Sequence, residues 1–469
     1  VRPEAPPHRP AATPYHRPAA ALRAWLVDTA GGLPATFWYL WTGLLINRAG
    51  AFAMLFLPLY LTAVRGASES LAGLVVGAFG AGGAAGVLLG GVLADRWGRR
   101  ATLVAAHLAT AVLMVALALS QHLGVIAALA LLVGVTHAMP SPAFVAAIVD
   151  VVPEARRSRA FNLQFWAFNL GMAVASLLAG LLAEASYLAL FLVDAAATLA
   201  TAVVIAWKVP ETITRAAAST TAPTRPAPSA SAPPGRPGPT GRPGPARSSL
   251  PVTGSRRPGL HTALTDRHFM LFVGLTFVLA VLTTQTSTIM PLAMRADGLG
   301  PSAYGTVMAL GGVLIVLGQL FVPRLIDRHR KAHVLAVSTA LLAIGFGALA
   351  IADVLALYLG ACVVWTVGSM LAAPPNAQIN AELAPPALRA RYQSVFYLAF
   401  PAASFVAPTL GGISLQHWGD VHWLIVGGVG LLAAGGHLLA GPSRERRVSA
   451  LRASADADAV EPSFAGDGR

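Results

Sequence analysis

The chain has 469 residues, 55% of them hydrophobic and only 11% charged, against roughly 25% charged in an ordinary soluble protein. That is about 258 apolar residues, and twelve membrane helices of roughly 20 residues would need about 240, so the composition excludes a water-soluble globular fold. The charge of +13 comes from 33 Lys and Arg against 20 Asp and Glu, and the single cysteine, Cys362, excludes an intrachain disulfide and a Cys-based metal site.

In chain order, residues 1–35 carry Arg, Pro and His without the apolar core of a cleavable secretory signal. They are expected to form a disordered cytoplasmic tail. Six apolar runs follow, at about 36–63, 70–94, 101–120, 123–149, 160–184 and 186–207. They define a first bundle over 36–208. From 209 to 265 the composition turns to Pro, Ser, Ala, Gly and Arg, with GRPGP written twice at 235–239 and 241–245, which predicts a flexible linker. Six more runs, at about 269–293, 301–325, 334–352, 354–380, 390–416 and 421–441, make a second bundle over 266–441, and 442–469 reads as a polar tail. The expected fold is an all-α integral membrane protein of twelve transmembrane helices in two six-helix bundles.

The bundles are related by a constant offset of 232 residues. Ser70, Gly73, Gly86, Leu93, Asp95 and Arg96 match Ser302, Gly305, Gly318, Leu325, Asp327 and Arg328. Further along, Pro142, Asp150, Pro153, Arg157 and Arg159 match Pro374, Glu382, Pro385, Arg389 and Arg391. A parallel repeat of this kind creates an interface at the bilayer midplane, where transporters place their substrate.

Of the 33 bases, 30 fall in the tails, the linker and the loops after helices 2, 4, 8 and 10; Arg65 and Arg295 lie at the other end, and Arg48 is inside a span. The positive-inside rule puts both termini and the linker in the cytoplasm, where the basic segments can graze anionic lipid. This placement accounts for the net charge without nucleic acid. Two lysines against 31 arginines point to a high-GC bacterial genome, so the expected location is the bacterial cell membrane.

The stretch Gly91-Val-Leu-Ala-Asp95-Arg96-Trp-Gly98-Arg99-Arg100 joins helices 2 and 3. An acid at a helix end can accept hydrogen bonds from the exposed amides at the start of a neighbouring helix, or pair with Arg96 or Arg99, and so latch one conformation. Gly91 and Gly98 allow close approach and a tight turn. The second half keeps Asp327 and Arg328 but has Pro323 and Arg330 in place of the glycines, which predicts a weaker latch. The first stretch resembles motif A of the major facilitator superfamily. The likeness covers residues 36–441 and implies the major facilitator fold, with helices 1, 4, 5, 7, 8, 10 and 11 facing a cavity and helix 2 rocking against helix 11.

The start of each half looks most like bacterial drug and metabolite exporters of the proton antiporter type. Their fifth-helix pattern is kept in spacing, without its proline, at Gly171 to Gly180; the offset lands on Pro408, Gly411 and Gly412 in helix 11. Small residues at these intervals also serve ordinary helix packing. The same two readings hold for Gly73, Gly77, Gly82, Gly86 and Gly90 in helix 2, as a sliding surface or as generic packing.

Arg48 and Asp194 both lie roughly 18 Å into the membrane from the cytoplasmic side. As intramembrane charges they are candidates for proton coupling, or for a static pair that fixes helix packing. Asn47, His137, Asn169, Gln285, Trp365, Asn376 and Tyr397 are the candidate lining of a site for an amphipathic organic molecule. His107 and His437 read as packing histidines. No P-loop, H-E-x-x-H or paired Cys occurs, so no enzyme activity, metal or cofactor is expected.

Together these features predict a monomeric secondary transporter working by alternating access, exporting a small-molecule substrate with protons as the coupling ion. Uptake or facilitated diffusion is the second transport reading. A membrane scaffold or sensor is the reading from another class.

Overall fold

The computed structural model describes residues 31–211 and 261–460, except 52, 319, 320, 327, 386 and 387. Most of the expected linker and the ends of both expected tails lie outside that range. Twelve helices among the described residues are long and apolar enough to cross a membrane. They are α1 (Ala35–Ala63), α2 (Glu69–Trp97), α3 (Arg99–Leu119), α4 (Leu123–Val151), α5 (Glu154–Ala185), α6 (Tyr187–Lys208), α7 (Arg267–Thr288), α8 (Pro301–Gly318), α9 (Lys331–Ile351), α10 (Leu355–Leu383), α11 (Arg389–Trp418) and α12 (Val421–Val460).

Local chemistry starts these helices where the composition changes. The Ser68 hydroxyl accepts from the Leu71 amide at 3.3 Å, Ser186 does the same for Ala189 at 3.2 Å, and Asp266 accepts from His268 and Phe269 at 3.1 and 3.2 Å. Asp266 also takes the Tyr392 hydroxyl of α11 at 3.1 Å and pairs with Arg447 of α12 at 3.4 Å. One carboxylate thus opens the second bundle and ties three of its helices. Prolines 58, 374, 375, 401 and 408 lie inside helices, which a bilayer tolerates when neighbouring helices absorb the bend.

The two bundles repeat one packing scheme. In the first, α1 packs on α5 and α6, α2 on α4, and α3 on α6; in the second, α7 packs on α11 and α12, α8 on α10, and α9 on α12. Even an ion pair is repeated. Arg99 meets Asp150 at 3.2 Å between α3 and α4, and Lys331 meets Glu382 at 2.7 Å between α9 and α10, each residue 232 positions from its counterpart.

Past 441, where the polar tail is expected to begin, α12 continues as helix to Val460. Beyond Pro442 the sequence holds no glycine or proline until after that point, so nothing local stops the helix. The Arg444 guanidinium donates to the His437 carbonyl at 2.7 Å and Arg447 reaches Asp266, which anchors the extension to the bundle.

Candidate transport site

The halves meet through α2 against α11 and α5 against α8. At the end away from the basic loops both crossings are closed by glycine on glycine. A Cβ on Gly73 would collide with the Pro408 carbonyl and come within 3.2 Å of the Gly412 Cα; one on Gly305 would collide with the Ser176 carbonyl and come within 3.0 Å of the Gly180 Cα. These two contacts are one contact written twice, since Gly73 and Gly305, Gly180 and Gly412, and Ser176 and Pro408 are each 232 apart. The flanking polar bonds follow the same rule. The Ser70 amide donates to Gln416 Oε1 at 3.1 Å, and the Ser302 hydroxyl donates to Glu184 Oε1. Phe56 of α1 packs edge-on against Tyr304 of α8 at 5.1 Å and completes the seal.

The glycines of α2 divide at the break in their spacing. Gly73, Gly77 and Gly80 lie against α11, whereas Gly82, Gly86 and Gly90 press on the Leu131, Val135 and Met139 carbonyls of α4. One set seals the halves together and the other packs within its own half. The α11-facing stripe continues at helical spacing to Gly91 and Asp95 of motif A, but a Cβ on Gly91 would meet nothing within 4 Å, and the Asp95 side chain is 77% exposed. Tyr397, on the facing stripe of α11, is 59% exposed. At the basic end the halves have therefore parted.

The rest of motif A is engaged within the first half. Arg99 bonds Asp95 at 3.3 Å and Asp150 at 3.2 Å. Gly98 takes φ +106°, in the left-handed region that favours glycine, and a Cβ there would strike Glu211. That carboxylate accepts the Arg99 amide at 2.8 Å and caps α3, and Arg100 donates to the Ala206 carbonyl. Arg96 and Arg328 are exposed, and Asp327 is outside the described residues.

Just below the seal a cavity of about 200 Å³ lies between the halves, lined by Met172 and Ser176 of α5 and by α7 to α10, with Thr283, Met308, Trp365 and Thr366 among its walls. Trp365 and Phe346 stack nearly parallel at 5.3 Å on one side. Among the described residues, no charged side chain lines it. One turn of α5 towards the basic end, Arg48 places its guanidinium over the Phe168 ring at 4.8 Å. The Arg48 Nε is buried without a hydrogen-bond partner.

Asp194 is 4% exposed and works on the break in α1, where Ala35–Ala49 ends and Ala53–Ala63 begins. Its Oδ2 accepts the Ala53 amide at 3.0 Å and its Oδ1 accepts the Thr198 hydroxyl at 3.4 Å. Asn47 turns to the same place and donates to Thr198 at 3.4 Å.

Of the other expected lining residues, Trp365 lines the cavity. Asn376 accepts from Thr276 at 3.0 Å between α10 and α7, Asn169 donates to the Phe165 carbonyl of its own helix at 2.9 Å, and Gln285 is buried beside Gly411. His137 lies against Phe79 with ring centroids 5.9 Å apart. Gly171 packs within the first half, on Arg48 and Ala49 of α1. The lining residues missed from the sequence are short hydroxyls and sulfur: Ser176, Thr283, Thr286, Thr366, Ser369, Met172 and Met308. Their signal was positional, since Cys362, Trp365, Thr366 and Ser369 form one helical stripe, as do Met172 and Ser176.

Two overlapping matches to the Major Facilitator Superfamily model cover residues 40–377 and 272–464. The chain belongs to the major facilitator superfamily. Among other members, "Uncharacterized MFS-type transporter YttB" of Bacillus subtilis (strain 168) is 26% identical over 391 residues, 82% of this chain and 90% of that one. A crystal structure of the peptide transporter POT in complex with sulfate superposes with a TM-score of 0.65 at 16% identity, covering 88% of this chain and 96% of that one. A bacterial homolog of the human lysosomal transporter Spinster, described as inward-facing and unoccupied, gives 0.63 at 13%, covering 91% and 98%. Such low identities show a shared fold alone. Family membership makes this chain a multi-pass membrane transporter of small molecules, not an enzyme.

Proposed function

We propose that this major facilitator transporter exports a small organic solute in exchange for protons, and that its basic end faces the cytoplasm. The carrying observation is the asymmetry of the interface: two repeat-related glycine crossings close one end, while Gly91, Asp95 and Tyr397 stand apart at the other. With the basic end in the cytoplasm, this is the inward-facing state of a rocking cycle. In the opposite state Asp95 docks on the start of α11, whose N-cap residue Leu388 offers no side-chain cap to the first amides.

Coupling runs through Asp194. A proton on this carboxylate weakens its hold on the Ala53 amide, and Phe56, one turn further along α1, packs on Tyr304 in the seal. Loading a proton from outside thereby loosens the outer crossing. Asp194→Asn is expected to abolish pH-driven flux in proteoliposomes while exchange of substrate without a gradient survives. Recovery of pH-driven flux in Arg48→Gln/Asp194→Asn would make the two charges a scaffold and remove Asp194 from coupling.

The rocking reading is tested by cysteine pairs. Gly73→Cys/Gly412→Cys is expected to cross-link in the state described here, and Gly91→Cys/Tyr397→Cys only when external acid or substrate drives turnover. Cross-linking of both pairs at rest would overturn it.

A further inference from the structure

Arg48 lies at the middle of the first span, and such a charge costs several kcal/mol to place in a membrane. Its guanidinium makes no hydrogen bond or ion pair among the described residues; what it touches is the face of Phe168. Asp194 acts on it electrostatically, while the Asp194 oxygens accept from Ala53 and Thr198. His107 and His137 stand within electrostatic reach of Arg48 and bring no negative charge. This corner of the first half thus holds a buried guanidinium donor, the Arg48 Nε, without a partner.

The neighbouring cavity has the complementary deficiency. Three of its hydroxyls spend their protons on their own helices, Ser176 on the Met172 carbonyl at 2.7 Å, Thr283 on the Ala280 carbonyl at 3.0 Å and Thr286 on the Thr283 carbonyl at 2.8 Å. It offers apolar and aromatic wall but few donors. Phe168, Met172 and Ser176 are successive turns of one face of α5, so the guanidinium and the cavity lie about 6 Å apart along that helix.

We propose that Arg48 and the Trp365 cavity are two parts of one substrate site, and that its occupant is an organic anion: a carboxylate or similar oxyanion held by Arg48, with an apolar body against Trp365 and Phe346. This rests on the transport reading above and names its substrate class. An anion held there supplies the acceptor that the Arg48 Nε lacks, by the bidentate geometry that guanidinium favours, and its body stacks against the aromatic wall.

Thermal stabilisation of the full-length protein in detergent tests this with three probes of one shape: 4-phenylbutyrate, 4-phenylbutanol and 4-phenylbutylamine. Only the carboxylate is expected to raise the melting temperature. Arg48→Gln should weaken its binding about tenfold or more, the loss of a charge-assisted hydrogen bond, and Arg48→Lys should restore part of it. Equal stabilisation by the alcohol or the amine, no shift with the carboxylate, or undiminished carboxylate binding by Arg48→Gln would overturn the inference. Should Arg48→Gln fail to fold, the three probes on the native protein decide. Flux of the same probes in proteoliposomes separates the two readings. A carboxylate that binds but never moves under any gradient leaves the site and removes transport, whereas movement of the amine or alcohol alone leaves transport and removes the anion site.

Discussion

The two ends of the interface between the halves are built from the same repeat and behave differently. At the sealed end, contact is backbone to backbone: Gly73 with Pro408 and Gly412, Gly305 with Ser176 and Gly180. At the basic end the residues on the corresponding stripe stand free of the other half, with the charged Asp95 paired to Arg99 of its own half, and motif A exists in full only in the first half. A seal of glycines needs no side-chain rearrangement to form or part. On the proposed reading, the sealed end is a low-friction closure that both halves share equally, and the basic end a charged closure weighted to the first half.

The strongest way to break the comparison is to put bulk into the seal. Gly73→Leu or Gly305→Leu should cut transport by more than about tenfold, because overpacking of about 1–3 kcal/mol falls on one conformational state alone. The protein should still fold, with labelling at the sealed end increased. Normal flux in either variant would mean that the crossing does not close this tightly during turnover.

Next in size is the latch. Asp95→Asn should lower transport about tenfold while leaving the melting temperature nearly unchanged, since Asp95 is exposed in the state described and, in the proposed cycle, makes its main contact only in the other. Asp327→Asn, in the half without the glycines, should do less. Equal and mild effects at both would reduce motif A to a solvated loop.

The repeated ion pairs come third. Arg99→Gln and Lys331→Gln should each destabilise by up to about 1 kcal/mol, as partly exposed pairs do, read as a small fall in melting temperature. Arg99 should cost more, because it also holds Asp95. The smallest effect is expected from Glu184→Gln, which makes the Ser302 contact resemble the Ser70–Gln416 contact across the repeat. Flux within about twofold of the native protein would fit a hydrogen bond that either side chain can accept; a large loss would make the Glu184 carboxylate an active part of the gate.

Much of this was legible from residues alone. Twelve spans follow from the length and hydropathy of the apolar runs, the two-bundle plan from the 232-residue offset, and motif A from its spacing, because a membrane demands long apolar helices and a repeat leaves its register in the sequence. The partners of the polar residues were not legible. Asn47 and Asn376 have the depth of cavity residues, yet they turn to Thr198 and Thr276, since depth along a helix says nothing of which way a side chain faces. Asp194 sits at the depth of Arg48, and one of its oxygens accepts the Ala53 amide, exposed by a break in α1 that only the folded chain displays. The glycines of α2 looked like one packing face. Only the tertiary structure separated those that bind α11 from those that bind α4, because a helix-facing stripe records that something comes close, and the fold decides what.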